Sequence, residues 1–270
     1  MKEQNAYILG TELQELHRLG YQHQIWSSEA RKAWDTAEFS YGQRLLDLGC
    51  GPGFCTVEMA YLVGEEGSVL GVDKSQAYID YLNKLNESYR LNIETQCTDF
   101  DDMTLEAGSL DGAYCRWALA WVSDPRAVVE KVADALCSGG VFVAQEYFDW
   151  STFQTEPHMP ALDKGIKSIL RSFKEQPGDI DVGRRLPQLF ADAGLEVISS
   201  RPMIKYAQPD EMNWYWPKTF LHIYLPKLVD MGYMNEDEVE AALDDFERLE
   251  YMNAVTLFCP SMIEVVAVKP

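Results

Sequence analysis

The chain is poor in positive charge: 23 Lys and Arg stand against 43 Asp and Glu, a formal net charge of −20 over 270 residues. Such a field repels polyanions at long range, so neither a nucleic acid nor an anionic membrane surface is expected as a partner. No basic run longer than a pair such as Arg184-Arg185 offers a local exception. No stretch approaches the roughly 18 apolar residues that a membrane span needs. The six cysteines form no Cys-x-x-Cys pair, and several sit in apolar runs, where a free thiol behaves as a small buried hydrophobe. Residues 1–10 have a lysine but no apolar core of the kind that opens a secretory signal. A reducing, cytoplasmic setting is therefore expected. Internal repeats and metal-ligand clusters are also missing, and His17, His23, His158 and His222 are scattered in sequence.

What is present is an ordinary globular composition, 47% hydrophobic and 24% charged, which supports a substantial core. Residues 5–38 read as helical, with Leu9, Leu13, Leu16 and Leu19 at near-helical spacing and Tyr7, Tyr21, Trp26 and Trp34 among them. From residue 43 apolar strands alternate with helices. Strands are predicted at 44–48, 68–72, 92–97, 110–115, 141–146, 195–199 and 262–268. Ser75 and Asp124-Pro125 mark helix starts, the latter helix running to about Cys137 and stopping at Gly139-Gly140. Further helices are predicted at 158–175 and 182–193. This alternation, with strands apolar throughout, predicts a parallel sheet covered on both faces. Residues 207–260, with Trp214, Tyr215 and Trp216 together and a capping-box start at Asn235 and Glu238, interrupt the last two strands and read as a helical lid.

The sharpest chemical signal is Asp47-Leu48-Gly49-Cys50-Gly51-Pro52-Gly53, between a strand and a helix. Glycines in alternation let the backbone pass close to a ligand, and the helix points its N–H groups at the same place. A dinucleotide fingerprint needs a third glycine where Phe54 stands, and a Walker loop needs a Gly-Lys-Ser/Thr that is absent. Asp47, two residues before the first glycine, repels a pyrophosphate but can accept a hydrogen bond from an ammonium group. Asp73 closes the second strand, where a carboxylate can accept from both hydroxyls of a ribose.

With these residues the chain resembles the class I S-adenosylmethionine (SAM)-dependent methyltransferases, whose motif I reads E/D-x-G-x-G-x-G. The match is good over 41–147 and looser outside it, where Tyr7-Ile8-Leu9-Gly10, Gln22 and Trp26, and later Gly183-Arg184-Arg185-Leu186-Pro187, look like bacterial small-molecule members. The resemblance implies a Rossmann-like α/β open sheet of seven strands, six parallel and the last antiparallel. It divides the chain into an N-terminal helical cap (1–40), a SAM-binding core (41–206 and 261–270) and the lid insert (207–260). It implies SAM as cofactor, held by Asp47, Gly49, Cys50, Gly51, Gly53, Asp73, Lys74, Asp99, Phe100 and Arg116. In this scheme Asp99 meets the adenine amino group, Phe100 packs on the ring and Arg116 neutralises the SAM carboxylate.

The motifs of nucleic-acid methylases are absent: no Asn-Pro-Pro-Tyr follows the fourth strand and no Pro-Cys pair occurs. A small-molecule acceptor is expected, carrying an O, N or C nucleophile and lying over the carboxyl ends of the strands against Trp117, Trp121, Trp214 and Trp216. Candidate bases are Glu146, His158 and His222. No metal is expected; a homodimer is possible. A SAM-binding module without catalysis and a methyltransferase acting on a protein remain as alternatives.

Overall fold

The strand-and-helix alternation is realised in a computed structural model that describes residues 13–270. Helix α1 (Leu13–Thr36) buries Trp26, Ala30, Ala33 and Trp34 against the body. The part of the predicted helix before residue 13, with Tyr7 and Leu9, and the cap residues 7–10 lie outside the described residues. Strand β1 (Arg44–Leu48) is sealed on both faces and leads through the glycine loop into α2 (Phe54–Val63). Then come β2 (Ser68–Asp73), α3 (Gln76–Tyr89) and β3 (Ile93–Cys97), with Ser75 capping α3 by accepting from the Tyr78 N–H. Strand β4 (Leu110–Arg116) is followed by α4 (Pro125–Ala135), which Asp124 caps, and by β5 (Leu136–Asp149).

Beyond this half lie the short strand β6 (Gln154–Glu156), α5 (Pro160–Lys174), α6 (Leu186–Asp192) and β7 (Glu196–Met203). The insert contributes β8 (Tyr206–Ala207), α7 (Tyr215–Asp230), α8 (Glu236–Leu249) and β9 (Thr256–Phe258), before β10 (Ser261–Val268) ends the sheet. The Asn235–Glu238 capping box forms as the sequence predicts. Among the described residues no helix is long and apolar enough to cross a membrane.

The main sheet has the order β3-β2-β1-β4-β5-β10-β7, with β10 antiparallel to both its neighbours. The six-plus-one arrangement matches expectation. Strand order reverses between β1 and β4, which opens a crevice at their carboxyl ends, the place where open α/β sheets take ligands. Helix α1 is pinned across the sheet: the Gln145 amide donates to the Glu29 carbonyl at 3.1 Å, and Glu29 pairs with Arg201 at 2.8 Å.

Three local readings are corrected. Helix α4 ends at Ala135, before Cys137, and Gly139-Gly140 lies inside β5 instead of stopping a helix. The reason is pairing invisible to local pattern: the Gly139 N–H donates to the Lys269 carbonyl, and the Lys269 N–H to that of Gly140. The helix expected over 182–193 divides into a 3-10 turn at Val182–Arg185 and α6. The insert is not purely helical, because β9 pairs with both β6 and β8 in a second small sheet.

Candidate active site

The crevice between β1 and β4 holds a cavity of about 470 Å³. Its floor is the glycine loop, laced to β2 by the Gly49 and Cys50 N–H groups, which both donate to the Val72 carbonyl. Gly49 adopts φ 75°, and a Cβ there would lie 2.4 Å from the Cβ of Ala118 in the loop after β4. Glycine is what lets the two loops touch. At Gly51 an added Cβ meets no atom within 4 Å, so this residue faces open cavity. Gly53 lies outside the cavity lining: a Cβ there would strike Leu82 of α3 at 2.3 Å. It serves the packing of the loop on α3.

Asp73 braces the loop. One carboxylate oxygen accepts from the Gly51 N–H at 2.9 Å and the other from the Ser75 N–H at 2.8 Å. Burial raises its pKa above the ordinary value, while each oxygen keeps lone-pair capacity for a ligand. Asp47 is buried and accepts from the Thr56 hydroxyl at 2.6 Å; burial pushes its pKa to about 6. Cys50, Lys74, Asp99 and Phe100 line the same cavity.

Arg116, at the end of β4, reaches into the cavity. Its Nη2 donates to the Cys55 sulfur at 3.3 Å, while its Nη1 is sealed from solvent with no hydrogen-bond partner. It makes no ion pair among the described residues. A guanidinium held this way is costly unless an anion meets it. The sequence reading overlooked what lies beyond it. His23 of α1 lines the cavity, its Nδ1 lies 3.7 Å from the Cys55 sulfur, and its Nε2 lies 3.0 Å from Glu58. The signal was weak because His23, Cys55 and Glu58 come from two helices and share no motif.

A second, smaller chamber of about 60 Å³ adjoins the first. Gln22, Trp117 and Trp121 line both. The chamber is walled by aromatic rings, among them Tyr147, Trp150, Trp216 and Phe220. Trp117 holds φ 57°, a left-handed conformation rare for so large a residue. Its N–H donates to the Gln145 carbonyl at 3.1 Å.

The expected bases do not gather at this chamber, because none of the three lines either cavity. Glu146 is fully buried beneath the loop after β4; one oxygen accepts from the Ala118 and Leu119 N–H groups, both at 2.8 Å. Burial lifts its pKa to about 7. It is a positioning residue for the loop that carries Trp117. His158 is exposed, and His222 lies 2.8 Å from the Lys218 carbonyl within α7. The tryptophans divide. Trp117, Trp121 and Trp216 wall the chamber, whereas Trp214 donates to Glu250 at 2.8 Å and packs on Phe246 inside the insert. No cluster of potential metal ligands occurs among the described residues.

Comparison with known proteins bears on this geometry. A family model described as a methyltransferase domain matches residues 45–140. The 37.1 kDa protein in transposon TN4556 of Streptomyces fradiae is 28% identical over 195 residues, 68% of this chain and 54% of that protein. The demethylmenaquinone methyltransferase of Desulfitobacterium hafniense is 25% identical over 213 residues, 75% of this chain and 80% of its own. The chain thus spans only about half the length of the first of these relatives. The crystal structure of geranyl diphosphate C-methyltransferase from Streptomyces coelicolor A3(2), in complex with Mg2+, geranyl diphosphate and S-adenosyl-L-homocysteine, superposes with a TM-score of 0.57. It is 17% identical, with 92% of this chain and 80% of that one covered, a likeness of fold.

Proposed function

We propose that the chain is a class I SAM-dependent methyltransferase that transfers a methyl group to a small molecule seated in the aromatic chamber. The observation that carries the proposal is the buried, unpartnered Nη1 of Arg116, an anion donor facing the same cavity as the open side of Gly51 and the carboxylate of Asp73. SAM fits this donor set. Arg116 would hold its carboxylate, Asp47 its ammonium and Asp73 its ribose hydroxyls, with Asp99 and Phe100 at the adenine. Bound SAM supplies a methyl group made electrophilic by its sulfonium.

The chain's own residues then act by placement. Glu146 fixes the Ala118–Leu119 backbone and so the indole of Trp117 between the two chambers. Trp216, tied by its Nε1 to Gln22 at 3.1 Å, closes the far wall and shields the acceptor from water. Positioning of this kind can lower a barrier by several kcal/mol, up to roughly 7–11 in favourable cases. That the demethylmenaquinone relative is named for a small-molecule acceptor supports the same class of substrate here.

The test is thermal unfolding with SAM, S-adenosylhomocysteine, NAD and NADPH in turn. At about a hundred times its Kd a bound ligand adds roughly 2.7 kcal/mol of stability. Stabilisation by SAM and S-adenosylhomocysteine alone is expected. No shift with either at millimolar concentration would remove the proposal.

A further inference from the structure

Arg116 has a second neighbourhood besides the cavity, built by two helices. Cys55 and Glu58 stand three residues apart on α2 and share one face; His23 and Arg31, eight apart on α1, share another. Where these faces meet, four side chains join in series. Arg116 Nη2 donates to the Cys55 sulfur at 3.3 Å, the sulfur lies 3.7 Å from His23 Nδ1, and His23 Nε2 lies 3.0 Å from Glu58. Arg31 closes the far end, its Nε and Nη2 donating to the two Glu58 oxygens at 3.1 and 2.9 Å. Phe54 stacks on the imidazole, with ring centroids 5.6 Å apart.

The chemistry of each atom sets the direction of the series. A carboxylate only accepts, so Nε2 carries a proton toward Glu58. Burial pushes the Cys55 thiol up to about 12. The thiol therefore keeps its hydrogen, which meets the lone pair of Nδ1, and the sulfur lone pairs are left for Arg116. Donors run one way, from guanidinium through thiol and imidazole to carboxylate, and each bond polarises the next.

The series also keeps negative charge away from Arg116. A thiol and a ring separate it from Glu58. Asp47, which lies within its field, is tied instead to the Thr56 hydroxyl at 2.6 Å. A further contact of the guanidinium is the face of Trp117, 5.0 Å from its carbon. Uncharged groups thus orient Arg116. A carboxylate in place of Cys55 would orient it too, but would cancel the charge that an incoming anion needs.

Resting on the SAM reading above, we infer that Cys55 and His23 are positioning residues for Arg116, holding its guanidinium through neutral contacts so that Nη1 stays free for the carboxylate of the cofactor. The arrangement selects a nucleoside that bears the amino-acid tail over one that lacks it, and it brings helix α1 into that selection.

The test is calorimetric titration with S-adenosylhomocysteine and with methylthioadenosine, read as the ratio of the two affinities. Cys55→Ala should lower that ratio about three- to tenfold, the usual range for one hydrogen bond. Cys55→Ser, which keeps one donor and one acceptor on the same atom, should restore most of it. On an Arg116→Met background Cys55→Ala should change the ratio no further, because its effect runs through Arg116. Equal losses for both ligands overturn the inference, as does a serine variant no better than alanine or an additive effect on that background. Should Cys55→Ala fail to fold, His23→Phe, which keeps the stack on Phe54 and removes both nitrogens, decides by the same ratio. If Arg116→Met weakens both ligands equally, the carboxylate assignment falls and this inference with it. If Arg116→Met is selective while the Cys55 and His23 variants are not, only this inference falls.

Discussion

Gly49 and Ala118 touch across the crevice so closely that a single methyl on Gly49 would lie 2.4 Å from the Ala118 side chain. Two loops, from β1 and β4, share one contact that no other residue type permits. Gly49→Ala should therefore lower stability, by about 1–3 kcal/mol for the φ of 75° and a comparable amount for overpacking. Gly51→Ala should behave differently, because its Cβ enters empty space on the cavity side. Urea unfolding should find Gly51→Ala the more stable of the two, while calorimetry finds its S-adenosylhomocysteine affinity clearly reduced.

Arg116 makes a ligand-specific prediction. Arg116→Met should weaken S-adenosylhomocysteine by about 1.5–3 kcal/mol, some ten- to a hundredfold, the usual worth of a hydrogen bond to a charged group. Methylthioadenosine, which lacks the amino-acid carboxylate, should lose much less. Equal losses for the two ligands would mean that Arg116 supports the cavity wall and does not receive the carboxylate.

Asp73→Ala removes both the brace on Gly51 and Ser75 and the proposed ribose acceptor. SAM affinity should fall more than about tenfold, given two charge-assisted bonds lost. Asp73→Asn, which keeps an acceptor oxygen, should fall less. An effect of Asp73→Ala below about threefold would remove the ribose assignment.

The buried Glu146 gives a pH signature. Its folded pKa, raised by burial to about 7, stands above the ordinary value of 4.5. Between those values the unfolded chain has released a proton that the folded chain keeps, so stability from this group is present below about pH 4.5 and lost as pH rises through about 7. The difference in unfolding free energy, from urea titration, between the unaltered protein and Glu146→Gln should shift accordingly, on the order of 3 kcal/mol across that window. Asp47 titrates in the same direction, which is why the variant difference is the quantity to measure.

The core of the fold was legible because its signals are local. The Asp47–Gly53 loop, the Ser75 and Asp124 caps and the apolar β1 and β4 each announce themselves within a few residues. What escaped depends on distance in sequence. Gly139-Gly140 looks like a helix stop until Lys269 pairs with it, and β9 is three residues long until β6 and β8 flank it. The same holds at the site. Arg116 and Trp117 could be placed from their position after β4, whereas the environment of Glu146 could not, since its partners are backbone amides 27 and 28 residues away. Trp214 and Trp216 stand two residues apart at the start of α7, and only tertiary packing sends one into the insert and the other to the chamber.

Trp117 forms part of the wall of both chambers. With Gln22 and Trp121 it makes the partition between them, so a ligand in either space would press on the same side chains. Linkage is reciprocal: the factor by which one ligand tightens the other is returned in full. If SAM and an acceptor fill the two spaces as proposed, any shift of the Trp117 ring on binding one would be felt by the other.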